Sequence, residues 1–118
     1  MFAVSLRVFV YDWPDATGIR QVGHVVNPIL RPAPAFATLA SDPEGCLSVP
    51  GQRAVLARPG LAIATGADLH GKAITVSGTG TLARCLQHEA DHVDGIVYVD
   101  RMPADKRREI LTAAGLTN

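Results

Sequence analysis

Hydrophobic and polar positions follow two different periods along this chain. Residues 4–12, VSLRVFVYD, set Val4, Leu6, Val8 and Val10 against Ser5, Arg7, Phe9 and Tyr11. Period two with β-branched and aromatic residues predicts a strand. Trp13 to Gly18 reads as a turn or short loop, and a second strand is expected over about Val22–Leu30, with Asn27-Pro28 marking an edge or a bend. The stretch 31–45 carries three prolines and reads as an irregular connection with room for a short strand. Short strands are expected near 47–49, 52–57, 61–67 and 73–77, punctuated by Pro50-Gly51, Pro59-Gly60 and His70-Gly71-Lys72.

The period then becomes helical, from about Thr81 to Asp94, with Thr79 or Thr81 as N-cap and Gly95 placed as the residue after the C-cap. At about 100° per residue one sector gathers Leu82, Cys85, Leu86, His88, Glu89, His92 and Val93. Arg84, Gln87, Asp91 and Asp94 fall opposite, so the expected buried face holds two histidines and a glutamate, which need partners there. An apolar piece follows at Ile96–Val99. Met102-Pro103 starts a last helix over about 104–114, ending at Gly115.

With 118 residues there is enough chain for one domain, 1–118, and one modest core. Lysine plus arginine number 11, as do aspartate plus glutamate, so no net field favours nucleic acid or an anionic membrane. The content, 47% hydrophobic and 19% charged, is globular rather than disordered. No apolar run reaches the roughly 18 to 20 residues of a membrane span. The N-terminal run contains Arg7 and lacks a basic leader with a cleavage site, so no signal peptide is expected and a cytoplasmic protein is. In that compartment the two cysteines, Cys46 and Cys85, read as free thiols or metal ligands rather than a disulfide.

His88-Glu89-Ala90-Asp91-His92 is an H-E-x-x-H sequence. Histidines at i and i+4 stand one helical turn apart and can converge on one metal ion, while the glutamate at i+1 can take a proton from the attacking water. Such a site needs a third protein ligand and one open position. No histidine follows His92, which leaves Glu109, Cys85 and Cys46 as candidates. A thiolate binds iron or zinc well, although a lone buried cysteine is ordinarily a small core hydrophobe.

EGCLSVP at 44–50 and QHEADH at 87–92 together resemble two signature motifs of the peptide deformylase family, E-G-C-L-S and Q-H-E-x-D-H. Gln52-Arg53-Ala54, Gly80 to Arg84 and Asp94-Gly95-Ile96 fit the same pattern, and the resemblance runs from about Val4 to Met102. It implies Cys46, His88 and His92 as ligands of one divalent metal, ferrous iron with zinc or nickel as substitutes. It also implies Glu89 as general base and then acid, and the Leu47 backbone N–H as a donor to the oxyanion. Gly45 would aim Cys46, Arg53 would lie near the bound peptide, and Cys85 would line the pocket for the methionine side chain. The implied reaction removes the N-formyl group from the initiator methionine of nascent polypeptides, near the ribosome, with no direct nucleic-acid or membrane contact. The fold expected is α+β: antiparallel β-sheets packed around a central helix bearing H-E-x-x-H, plus a C-terminal helix.

A third family motif, the glycine-rich G-Φ-G-Φ-A-A-x-Q (Φ apolar), has no counterpart in the sequence. It would precede the first strand, and Met1 aligns within about two residues of its glutamine. That glutamine donates to the oxyanion in the family, and losing one such donor costs about 10²–10³ in rate. The alternatives to an active deformylase are therefore a catalytically impaired remnant of one, or a glutamate-type zinc peptidase using Glu109.

Overall fold

The structure, a computed structural model, describes residues 7–46 and 48–116. The strands are β1 (Val8–Pro14), β2 (Arg20–Leu30), β3 (Leu39–Cys46), β4 (Val49–Pro59), β5 (Leu61–Ala67) and β6 (Ala73–Thr79). Helix α1 (Gly80–Val93), a 3₁₀ turn (Tyr98–Arg101) and helix α2 (Ala104–Ala113) complete the chain. The order is α+β, with all pairing antiparallel: a four-stranded sheet β1-β2-β5-β6 and a two-stranded sheet β3-β4.

Local chemistry accounts for the turns. Asp15 closes the β1–β2 hairpin by accepting hydrogen bonds at Oδ1 from the N–H groups of Thr17 and Ile19, and Gly18 supplies the positive φ. Asn27-Pro28 is a bend, not an edge: β2 lies inside its sheet, Asn27 takes φ 50°, and the pairing to β5 slips between Val26 and Ile29. The proline-rich connection does contain a strand, β3, which is longer than a short insertion. Pro43 and Gly45 are accommodated because the sheet has only two strands, so each strand keeps an edge free of ladder bonds.

In β1 both rows are apolar, and packing decides between them. Phe9 is buried and Tyr11 packs against the same cluster, while Val10 faces outward at 70% exposure. The aromatic row removes more apolar area from water, at about 25 cal/mol per Å². Val4 to Leu6 of the expected strand lie outside the described residues.

Two cores form. One joins Phe9, Val25, Ala62 and Ala64 of the larger sheet to Leu82, Ala83, Leu86 and Ala90 of α1. The other joins Val49 and Leu56 of β4 to Tyr98, Val99 and Ile110. Helix α1 runs between them, and this corrects its expected polarity. Gln87 and Asp91, assigned to the face opposite the core, are buried. More than one sector of α1 is covered, because the β3-β4 side meets it as well. Gln87 donates to the carbonyl of Pro59, and Asp91 accepts from Arg58 and Arg101. Thr79 occupies the N-cap position but makes no side-chain cap hydrogen bond.

Gly66 on β5 lies under the slipped segment of β2. A Cβ there would come within 2.5 Å of Val25 Cγ1 and 2.6 Å of the Val26 carbonyl oxygen. Backbone cannot swing away as a side chain does, so Gly66→Ala is expected to destabilise by about 1–3 kcal/mol. Urea unfolding checks this, and an unchanged midpoint refutes it.

Candidate metal and catalytic site

Three elements meet at one point. β3 ends at Cys46, where its register with β4 shifts, and α1 presents His88 and His92 one turn apart. Among the described residues, Cys46, His88 and His92 form a group whose ligating atoms all lie within 4.8 Å of one another. Cys46 Sγ is 3.4 Å from His92 Nε2, and the two imidazole centroids are 4.4 Å apart. A thiol and two imidazoles at this separation suit one borderline-soft divalent ion.

The surroundings fit that donor set. Burial opposes ionisation of Cys46, but the Ser48 N–H and hydroxyl and the neighbouring His88 outweigh it and bring the thiol pKa down. Burial lowers His92, with the adjacent His88 adding to the effect, so His92 favours the neutral form a ligand requires. The His88 pKa is raised, first by its hydrogen bond to Glu44. Glu44 is buried, yet hydrogen bonds from His88, Arg58 and Arg84 overcome the burial penalty and hold its carboxyl at about 2.

Glu89 stands beside the triad, its carboxylate 4.0 Å from His92 Nδ1 and about a third exposed, at 32%. It lines two clefts. One, of about 480 Å³, runs between α1 and β1 past Val8, Phe9 and His92. The other, of about 440 Å³, is walled by Trp13, Arg53, Cys85 and His88. A carboxylate on the ridge between two clefts can exchange a proton with whatever occupies either.

The remaining expected residues divide. Cys85 is half-buried in the second cleft, and burial with Glu89 nearby pushes its thiol up to about 11, so it is an uncharged wall. Arg53 is exposed at the mouth of that cleft and makes one long bond, 3.4 Å, to the Pro43 carbonyl. Gly45 does not need a positive φ. It is glycine because a Cβ would sit 3.0 Å from the Gln52 carbonyl oxygen and 3.1 Å from Arg53 Cγ across the sheet. Leu47 lies outside the described residues. Glu109 is on the exposed side of α2, next to Lys106, and is not brought to the triad.

Sequence reasoning missed the polar layer behind the candidate ligands. Glu44, Arg58 and Asp91 are all at least nine-tenths buried and joined by hydrogen bonds, with Arg84 and Arg101 closing the ends. The available signal was Arg58 itself, which shares the inward face of β4 with Ala54 and Leu56.

A two-sheet α+β scaffold with a cysteine and an H-E-x-x-H helix converging on one point defines a class of metal-site proteins. The sequence model of one such family, polypeptide deformylase, matches residues 2–108. The chain belongs to the polypeptide deformylase family. It is 50% identical over 111 residues to peptide deformylase 2 of Streptomyces avermitilis, a match covering 94% of this chain and 59% of that protein. The crystal structure of the Ehrlichia chaffeensis peptide deformylase superposes with a TM-score of 0.81 at 27% identity, covering 95% of this chain and 66% of that one. A second structure of the Ehrlichia chaffeensis enzyme, in complex with actinonin, gives a TM-score of 0.78 at 30% identity, covering 91% and 63%. The chain thus spans about three fifths of the length of the curated relative. No helix among the described residues is long and apolar enough to cross a membrane.

Proposed function

We propose that this chain forms the metal-binding body of a peptide deformylase, hydrolysing the N-formyl group from the initiator methionine of nascent polypeptides in the cytoplasm, near the ribosome. The convergence of Cys46, His88 and His92 beside Glu89 is the observation that carries this reading. The three residues would hold one divalent ion, Fe²⁺ as the working metal with Zn²⁺ or Ni²⁺ as substitutes, and leave a position open for substrate. When bound, the ion polarises the formyl carbonyl and acidifies water.

The chain's own residues supply the rest. Glu89 takes the proton of the attacking water and later delivers it to the leaving amine nitrogen, as its position on the ridge between the clefts supports. The Leu47 N–H, by family resemblance, donates to the oxygen on which charge develops. Cys85 stays a neutral thiol suited to a thioether side chain, and the Trp13 wall gives that cleft apolar area. Arg53 at the cleft mouth suits a peptide backbone or terminus. The close packing of Gly45 against β4 holds the backbone just before the register shift that presents Cys46. The first core packs on α1, and polar bonds from Arg84, Gln87 and Asp91 tie the same helix to β3 and β4, which supports residues 1–118 as one domain. Neutral net charge is consistent with a partner that is a peptide end and not nucleic acid.

Cobalt substitution tests the ligand set. The loaded chain is expected to show a thiolate-to-cobalt charge-transfer band that Cys46→Ala abolishes. A band that survives the substitution makes the assignment wrong. Hydrolysis of a formyl-methionyl peptide, suppressed by actinonin, tests the reaction.

A further inference from the structure

Glu44 has more partners than a structural ion pair requires. Its Oε2 accepts from Arg58 Nε at 2.5 Å and from Arg84 Nη1 at 2.5 Å, and its Oε1 accepts from Arg58 Nη2 at 2.9 Å. Those contacts already tie β3 to β4 and α1. The remaining lone pair on Oε1 meets Nδ1 of His88 at 3.0 Å. Asp91 supplies a contrast on the same helix. It lies one residue from His92, is equally buried, and spends its carboxylate on Arg58 and Arg101, with no imidazole among its partners.

We propose that Glu44 is a positioning residue, whose carboxylate fixes the Nδ1–H tautomer of His88 and so turns Nε2 toward Cys46 and His92. The inference rests on the metal reading above. A ring flip would trade the Nδ1–H for a carbon against a buried carboxylate and lose a charge-assisted bond. The two arginines hold the carboxylate, so the imidazole, itself mostly buried, has one favourable orientation. Partners of this kind orient metal-binding histidines and are worth about 10–100-fold in metal affinity.

The chemistry of Glu44→Gln makes the test sharp. Three arginine N–H groups converge on this site, and an amide has one oxygen. That oxygen is drawn to the position taken by two arginine donors, which leaves the NH₂ facing His88 Nδ1. The imidazole must then accept there and carry its proton on Nε2, the nitrogen needed for the metal. Long-range ¹H–¹⁵N spectra of histidine-labelled, metal-free protein at pH 8 are expected to show His88 as Nδ1–H in the parent and Nε2–H in Glu44→Gln. Competition against a chromophoric chelator is expected to show zinc affinity lower by about 10–100-fold in Glu44→Gln. Arg101→Met is the control. It breaks the far end of the network and lowers stability, and it is expected to leave both the tautomer and the zinc affinity unchanged.

An Nε2–H tautomer in the parent overturns the proposal even if the variant fails to fold. Equal loss of zinc affinity in Glu44→Gln and Arg101→Met overturns it too, because the role would then be structural. A parent chain that binds no zinc contradicts the metal reading of the preceding section. The tautomer spectra need no metal and still decide the role of Glu44.

Discussion

Glu89→Gln is expected to lower turnover of a formyl-methionyl peptide by about 10²–10⁴-fold, the usual range for a general acid–base residue, while metal content stays at the parent level. The separation follows from geometry. Glu89 is outside the group of three proposed ligands, so its loss removes none of them. Its carboxylate is part-exposed in both clefts, with His92 Nδ1 at 4.0 Å as its nearest ionic partner, so an isosteric amide leaves no buried charge stranded. The fold should therefore be unchanged, and the loss should fall on kcat more than on KM, because the missing proton transfer belongs to the transition state. Steady-state kinetics beside metal analysis reads both quantities. Turnover equal to the parent's removes Glu89 from the proton path. Loss of metal along with activity makes it a ligand.

The largest stability effect is expected at Arg58. Its side chain is about 5% exposed and bridges Glu44 on β3 to Asp91 on α1. Arg58→Ala leaves two buried carboxylates short of a partner and opens a void against the second core. Breaking a buried pair by deleting one member costs about 3–5 kcal/mol, a large share of the roughly 5–15 kcal/mol that holds a domain together. The residual partners set the size within that range. Arg84 and His88 still serve Glu44, and Arg101 still serves Asp91. Equilibrium urea unfolding measures the change. A shift smaller than that of an exposed charge, such as Arg20→Ala on β1–β2, would mean that the pair is solvated after all.

Much of the fold was legible because local signals agreed. The strand expected at 61–67 coincides with β5, and the expected last helix with α2, since turn residues and periodicity mark both ends of each. Gly95 and Gly115 take the left-handed φ their positions after the helices require. The clustering of Cys46, His88 and His92 was legible for a different reason: the proposed metal chemistry restricts residue types, and the i, i+4 spacing survives translation into a helix. What failed was the assignment of Gln87 and Asp91 to the solvent face. Helical periodicity assumes one apolar stripe, whereas α1 is covered from two sides, and its second contact is polar. Hydropathy cannot separate a charged residue facing water from one facing a buried arginine. Gln87 and Asp91, motif residues outside the proposed ligand set and proton path, are the ones the packing consumes, while Glu44 serves both the packing and His88.

The three proposed ligands come from segments far apart in the chain, with Cys46 and His92 separated by 46 positions. A ribosome working at about 5–20 residues per second therefore makes Cys46 roughly 2–9 s before His92 exists. Through that interval the thiol has its ordinary pKa of about 8.5 and is mostly protonated, hence a sluggish target for oxidants. His88, one of the groups that draw it toward thiolate, reaches it only after α1 has packed beside β3. Much of the reactivity and the shelter of the folded site thus arrive in the same event, and the nascent chain carries its proposed ligand in an inert form.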